Sequence, residues 1–117
     1  MPHAVVNGDV NIDEIFNKLK SVFIRNESGL LKTDNIYISR DKTAILIESL
    51  VIESGVKRSF LVMIGQRNDG VIVRIYPGSE VEKTVGVRSI LSEIVKQLLA
   101  TIPQLVIGAN NLSDYLK

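Results

Sequence analysis

With 117 residues, 45% of them hydrophobic and 23% charged, the chain has the make-up of one folded domain spanning 1–117 and not of a disordered segment. A formal net charge of +1 supplies no long-range field for nucleic acid or anionic membrane, and the lack of Cys removes disulfides and thiolate metal sites. No run reaches ~18 uninterrupted apolar residues and the N-terminal Met1-Pro2-His3-Ala4 lacks a basic signal region, so a soluble, cytoplasmic protein without membrane contact is expected.

Ala4-Val5-Val6 and Val10, set around Asn7-Gly8-Asp9, read as a short strand or an ordered arm. Ile12, Ile15, Phe16, Leu19, Val22 and Phe23 then recur at helical spacing and form one apolar stripe. Asn11 stands at the N-cap with Glu14 three residues on, as in a capping box, so a helix is predicted over 12–24. Asn26-Glu27-Ser28-Gly29 ends it, and 30–34 reads as a connector.

The apolar period then changes from 3.6 to 2. Strands are predicted over 35–40, 43–53, 57–67 and 70–76, joined by Arg40-Asp41-Lys42, Ser54-Gly55-Val56 and Asn68-Asp69-Gly70. These joints are too short for crossovers, so the strands form an antiparallel meander. Pro77-Gly78 stops the sheet, and Ser79 with Glu82 reads as a second capping box. Val87, Ile90, Leu91, Ile94, Leu98 and Ile102 make the stripe of a second helix, whose regular part is expected to begin near 86 and end before Pro103. Leu105-Val106-Ile107 and a single turn over 113–116 complete the tail. The expected fold class is α+β, ordered (β)-α-β-β-β-β-α, with a four- or five-stranded antiparallel sheet and two helices on one face.

Parity assigns the faces of that sheet, because a one-residue slip turns every side chain over. With Asp69-Gly70 as a two-residue turn, Ile75 lies across from Ile64 and Val73 across from Gln66. Phe60, Val62, Ile64, Val71, Val73 and Ile75 then share a face with Ile36, Ile38, Ile45, Ile47 and Val51, which the helices cover. The opposite face carries Tyr37, Leu46, Leu50, Ile52, Leu61, Met63, Ile72 and Tyr76, interspersed with Ser39, Glu48, Ser59, Arg67 and Arg74. A solvated sheet face is mostly polar. Large side chains left wet here forgo ~1.5–3 kcal/mol each relative to full burial. A cover is therefore expected: the tail with Leu105-Val106-Ile107, a second copy of the chain, or a ligand or macromolecule. The binding-surface candidates are Tyr37, Leu46, Leu61, Met63, Arg67, Ile72, Arg74 and Tyr76.

Catalytic chemistry finds no foothold. His3 is the only His, at a terminus expected to be mobile, and the Asp and Glu residues show no metal-ligand spacing. No Gly-x-Ser-x-Gly occurs and no His is placed to serve as a triad base. Gly86-Val87-Arg88-Ser89, near a helix start, offers backbone N–H groups and an Arg to an anion but lacks a phosphate-loop pattern. No cofactor, metal or enzymatic activity is expected.

With the first residues as a strand, the order strand, helix, four antiparallel strands, long helix resembles the repeat unit of TATA-box-binding-protein-like folds, a class that includes helix-grip ligand-binding domains. The resemblance runs from Val5 to Ile102 and rests on element order. It implies that the helix-free sheet face is the working face. The expected function is a small non-enzymatic binding or assembly module, homodimeric through that face or through its C-terminal helix. The alternatives are nucleic-acid binding by Arg67, Arg74, Tyr37 and Tyr76, and a small-molecule site between sheet and long helix.

Overall fold

The computed structural model of the chain describes residues 1–116 and shows a seven-stranded antiparallel sheet curled into a half-barrel with two helices. In chain order the elements are β1 (His3–Asn7), α1 (Ile12–Lys18), β2 (Phe23–Asn26), β3 (Gly29–Ile38), β4 (Ala44–Glu53), β5 (Val56–Arg67), β6 (Gly70–Ile75), α2 (Val85–Thr101) and β7 (Val106–Asn110), closed by a 3-10 turn at Ser113–Tyr115. The strands lie in the order β2-β3-β4-β5-β6-β1-β7. No helix among the described residues is long and apolar enough to cross a membrane.

The α+β class and the antiparallel meander hold, but the expected four or five strands become seven. One addition comes from the first helix. It keeps its predicted cap, with Asn11 Oδ1 accepting from the Glu14 N–H at 2.7 Å, but it ends at Lys18 and not near 24. Beyond it the Gln97 side chain, from α2, accepts from the Lys20 N–H and donates to the Lys20 carbonyl, holding that backbone away from the helix. Val22 exchanges hydrogen bonds with Thr33, and Phe23–Asn26 pairs with β3. Asn26-Glu27-Ser28-Gly29 is thus a hairpin turn, in which Asn26 Oδ1 accepts from the Ser28 and Gly29 N–H groups. The predicted connector 30–34 belongs to β3. The second addition is β7, which the tail forms against β1.

The β5–β6 register also departs from expectation. Arg67 pairs with Gly70, so the turn residues are Asn68-Asp69, and Ile64 faces Val73 while Val62 faces Ile75. Gly70 has φ +154°, and a Cβ there would lie 2.0 Å from the Val6 carbonyl oxygen of β1. That close approach suits glycine, and the pairing lies two residues from the expected register. Two is even, so every facing assignment survives.

The core is accordingly the predicted one. Ile45, Ile47, Val51, Phe60, Val62, Ile64, Val71, Val73 and Ile75 are buried together with Ile12 and Ile15 of α1 and the whole predicted stripe of the second helix. β1 adds Ala4 and Val6. Leu112 is fully buried and Leu105 nearly so, which ties the tail to the core.

The start of α2 corrects a second expectation. Ser79 does not cap it. The Ser79 hydroxyl accepts from the Leu61 N–H, and Glu82 pairs with Arg58 at 2.9 Å. The N-cap is Thr84, and the Glu53 carboxylate at the end of β4 accepts from the Thr84 hydroxyl at 2.5 Å and the Gly86 N–H at 2.8 Å. Arg58 stands 3.6 Å from the same carboxylate. An anion at the positive end of the helix satisfies an otherwise orphaned donor. Glu53→Ala is therefore expected to cost about 1–3 kcal/mol, read as a lower urea midpoint with an unchanged slope. An unchanged midpoint would show the clamp to be energetically idle.

Candidate functional site

Strand pairing determines what lies on the sheet face turned away from the helices. Tyr37 pairs with Leu46, Leu46 with Met63, Met63 with Arg74, and Arg74 with His3, so these five side chains form one row across β3, β4, β5, β6 and β1. On one side Ala44, Gly65, Ile72 and Val5 form a parallel row. On the other, Glu48 faces Leu61, whose carbonyl accepts from the Tyr76 N–H. Seven of the eight predicted surface residues therefore meet in one patch: Tyr37, Leu46, Leu61, Met63, Ile72, Arg74 and Tyr76.

Arg67 lies at its margin, diagonally across from Ile72. It lies at the hairpin end, four residues from Met63 and so roughly 13 Å along the strand, and pairs with Asp69 at 3.6 Å. The stacking surface imagined from two Arg and two Tyr side chains is thus split.

Several members of the face were absent from the predicted one, and three of them shape the patch. His3, expected at a mobile terminus, is half-buried in β1, and Val5 continues the row beside Ile72. The third is Asn35. Between Thr33 and Ile36 the pairing with β4 slips by one residue, a bulge that turns Asn35 and Tyr37 both outward. Asn35 Nδ2 donates to Glu48 Oε1 at 3.1 Å and the Tyr37 hydroxyl to Oε2 at 2.9 Å. The hydrogen bond to Glu48 holds the Tyr37 phenol above its usual pKa. The alternation His3, Val5 against Ala4, Val6 is the one local signal that marks β1 as two-faced.

The patch is apolar and lacks a helix over it. Leu46, Leu61, Met63 and Ile72 are only half-buried, Tyr37 is 48% exposed and Tyr76 37%. Of the three expected covers, the tail is accounted for elsewhere. β7 extends the sheet edge beside β1, with Val106 and Ile107 exposed there. Beside the patch lies an open depression of about 460 Å3 lined by Lys32, Glu48, Leu50, Lys57, Ser59 and Leu61 among others.

The anion cradle considered at Gly86-Val87-Arg88-Ser89 is filled from within. Glu53 occupies it, a Cβ on Gly86 would meet the Glu53 carboxyl carbon at 2.6 Å, and the Arg88 side chain turns back to the Lys83 carbonyl. Between α2 and the sheet, Ile45, Val62, Ile64, Val73, Val87, Ile90, Leu91 and Val95 have no accessible surface. A ligand-sized void would leave accessible area on the residues lining it. Among the described residues no three His, Asp or Glu side chains gather as metal ligands.

The chain matches no protein-family model, no curated protein and no solved structure.

Proposed function

We propose that this chain is a non-enzymatic assembly module that pairs with a second copy through the helix-free face of its sheet. The observation that carries this reading is the uncovered pair Leu46 and Met63, with Ile72 on one side and Leu61 on the other, in a chain whose tail lies at the sheet edge. A two-fold axis buries such a patch against its own copy without any further component. Strands β3 to β6, spaced ~4.8 Å apart and from ~20 to ~40 Å long, present a footprint of roughly 600 Å2, approaching the ~800 Å2 per partner of a standard interface. The alternative seam, along α2, is less well supported because its apolar stripe is spent on the core.

Light scattering coupled to size exclusion tests the proposal. A mass rising from one chain toward two with increasing concentration is expected, and a single-chain mass at every concentration up to the millimolar range overturns it. A nucleic-acid surface on the same face finds less support. The Glu48 carboxylate sits within it, and Arg67 is engaged by Asp69. That reading requires binding to single-stranded DNA that weakens steeply with salt.

A further inference from the structure

The patch contains two charges without counter-ions among the described residues, and their placement says how two copies would be aligned. Among the described residues Arg74 makes no salt bridge, and its Nε is shielded from solvent with no acceptor. Glu48 accepts hydrogen bonds from Asn35 and Tyr37, both neutral, and forms no ion pair with a cation among the described residues. The other carboxylates on β3 and β4 are engaged: Asp34 pairs with Lys32 at 3.4 Å and Glu53 with Arg58 at 3.6 Å.

These two charges flank β5 on opposite sides. Glu48 lies on β4 level with Leu61, and Arg74 on β6 level with Met63. The bonds from Asn35 and Tyr37 draw Glu48 toward β3, away from Arg74 of its own chain. A two-fold axis parallel to the sheet, passing between Leu61 and Met63 and inclined obliquely to β5, exchanges the β4 and β6 sides around that point. It lays the Glu48 of each copy over the Arg74 of the other and leaves the apolar side chains of β5 at the centre. A seam that dried Arg74 without supplying an acid would be opposed by the cost of an uncompensated charge.

We infer that Arg74 of each copy pairs with Glu48 of the other, two equivalent ion pairs that set the alignment of the dimer. The inference rests on the face-to-face reading above, and its failure is separable from the failure of that reading. The charges are reversed one at a time, as Glu48→Arg and Arg74→Glu, one variant carrying a mass tag, and assembly is followed by native mass spectrometry and light scattering. Each variant alone should dimerise at least tenfold more weakly than the natural chain, because like charges then face each other at both pairs. Mixed one to one, they should recover a dimer of mixed composition, since each contact again joins an acid to a base. Circular dichroism confirms folding, and the milder Glu48→Gln and Arg74→Gln variants serve if a reversal unfolds the chain. The two Gln changes combined should then weaken the dimer no more than the stronger single change, since either change alone already removes both ion pairs.

A natural chain that dimerises while both reversals leave it unaffected, or a mixture that fails to recover, overturns the ion pair and leaves the assembly reading standing. A natural chain that never dimerises removes both.

Discussion

A chain carrying Leu46→Lys and Leu61→Lys together is expected to remain folded yet lose self-association by two or more orders of magnitude. The physical reason lies in where the two residues sit. Leu46 and Leu61 belong to adjacent central strands, and Leu61 faces Glu48, so one introduced ammonium has an acid across the strand within its own chain. Both positions are half-exposed, which lets a Lys stem lie along the sheet with its head in water. In a face-to-face dimer the same heads are dried in like-charged sets, and a hundredfold loss corresponds to only ~2.7 kcal/mol, less than the burial of uncompensated charge usually costs. Light scattering of the variant beside the natural chain, with thermal unfolding as the folding control, makes the comparison. A folded variant that still forms dimers of natural affinity moves the seam to another surface.

Ile64→Ala, three residues along from Leu61 and on the other side of the same strand, should behave in the opposite way. Ile64 is fully buried between Ile45 and Val73, under the helices. Truncating a buried Ile leaves a cavity that close-packed neighbours fill only in part, at about 2–5 kcal/mol. Against a total stability of roughly 5–15 kcal/mol this is a large share, and the melting temperature should fall by roughly 8–20 °C. Urea unfolding followed by circular dichroism reads it directly. A loss below ~1 kcal/mol, comparable to an outer-face substitution, would mean that the two faces of the sheet are exchanged.

Most of the outer patch was legible because facing depends only on odd and even positions. The β5–β6 turn sits one residue from its expected place, which shifts the pairing by two, and Leu61, Met63, Ile72 and Arg74 still point outward, since an even shift preserves parity. The same rule hid the start of β3. Leu31 and Thr33 point inward, and so do Ile36 and Ile38, so the bulge between them breaks the two-residue rhythm and makes 30–34 look like a connector. Asn35 shares the parity of Tyr37 within the predicted strand 35–40, so its outward side was legible there, and what stayed hidden is the pair of hydrogen bonds on Glu48. His3 and Val5 were missed because the position of β1 beside β6 spans nearly seventy residues of sequence, and no local pattern reports it.

The extent of the first helix shows the same division. Asn11, Glu14 and the stripe through Leu19 act within one or two turns, and they place its start correctly. Its end depends on Gln97, contributed from far along the chain, and on the pairing of Phe23–Asn26 with β3. A few tenths of a kcal/mol per residue of helix propensity yields to a ladder of backbone hydrogen bonds. The amino-acid order by itself determined the α+β class, the buried stripe of α2 and the residues on each side of the central strands, all consequences of periodicities that act over neighbouring positions. Tertiary structure alone decided the number of strands, the lodging of the tail at the sheet edge, the Glu53 clamp and the isolation of Arg74 from Glu48. Each of these depends on which distant segments meet, and the energy of such meetings is carried by contacts that no short stretch of sequence contains.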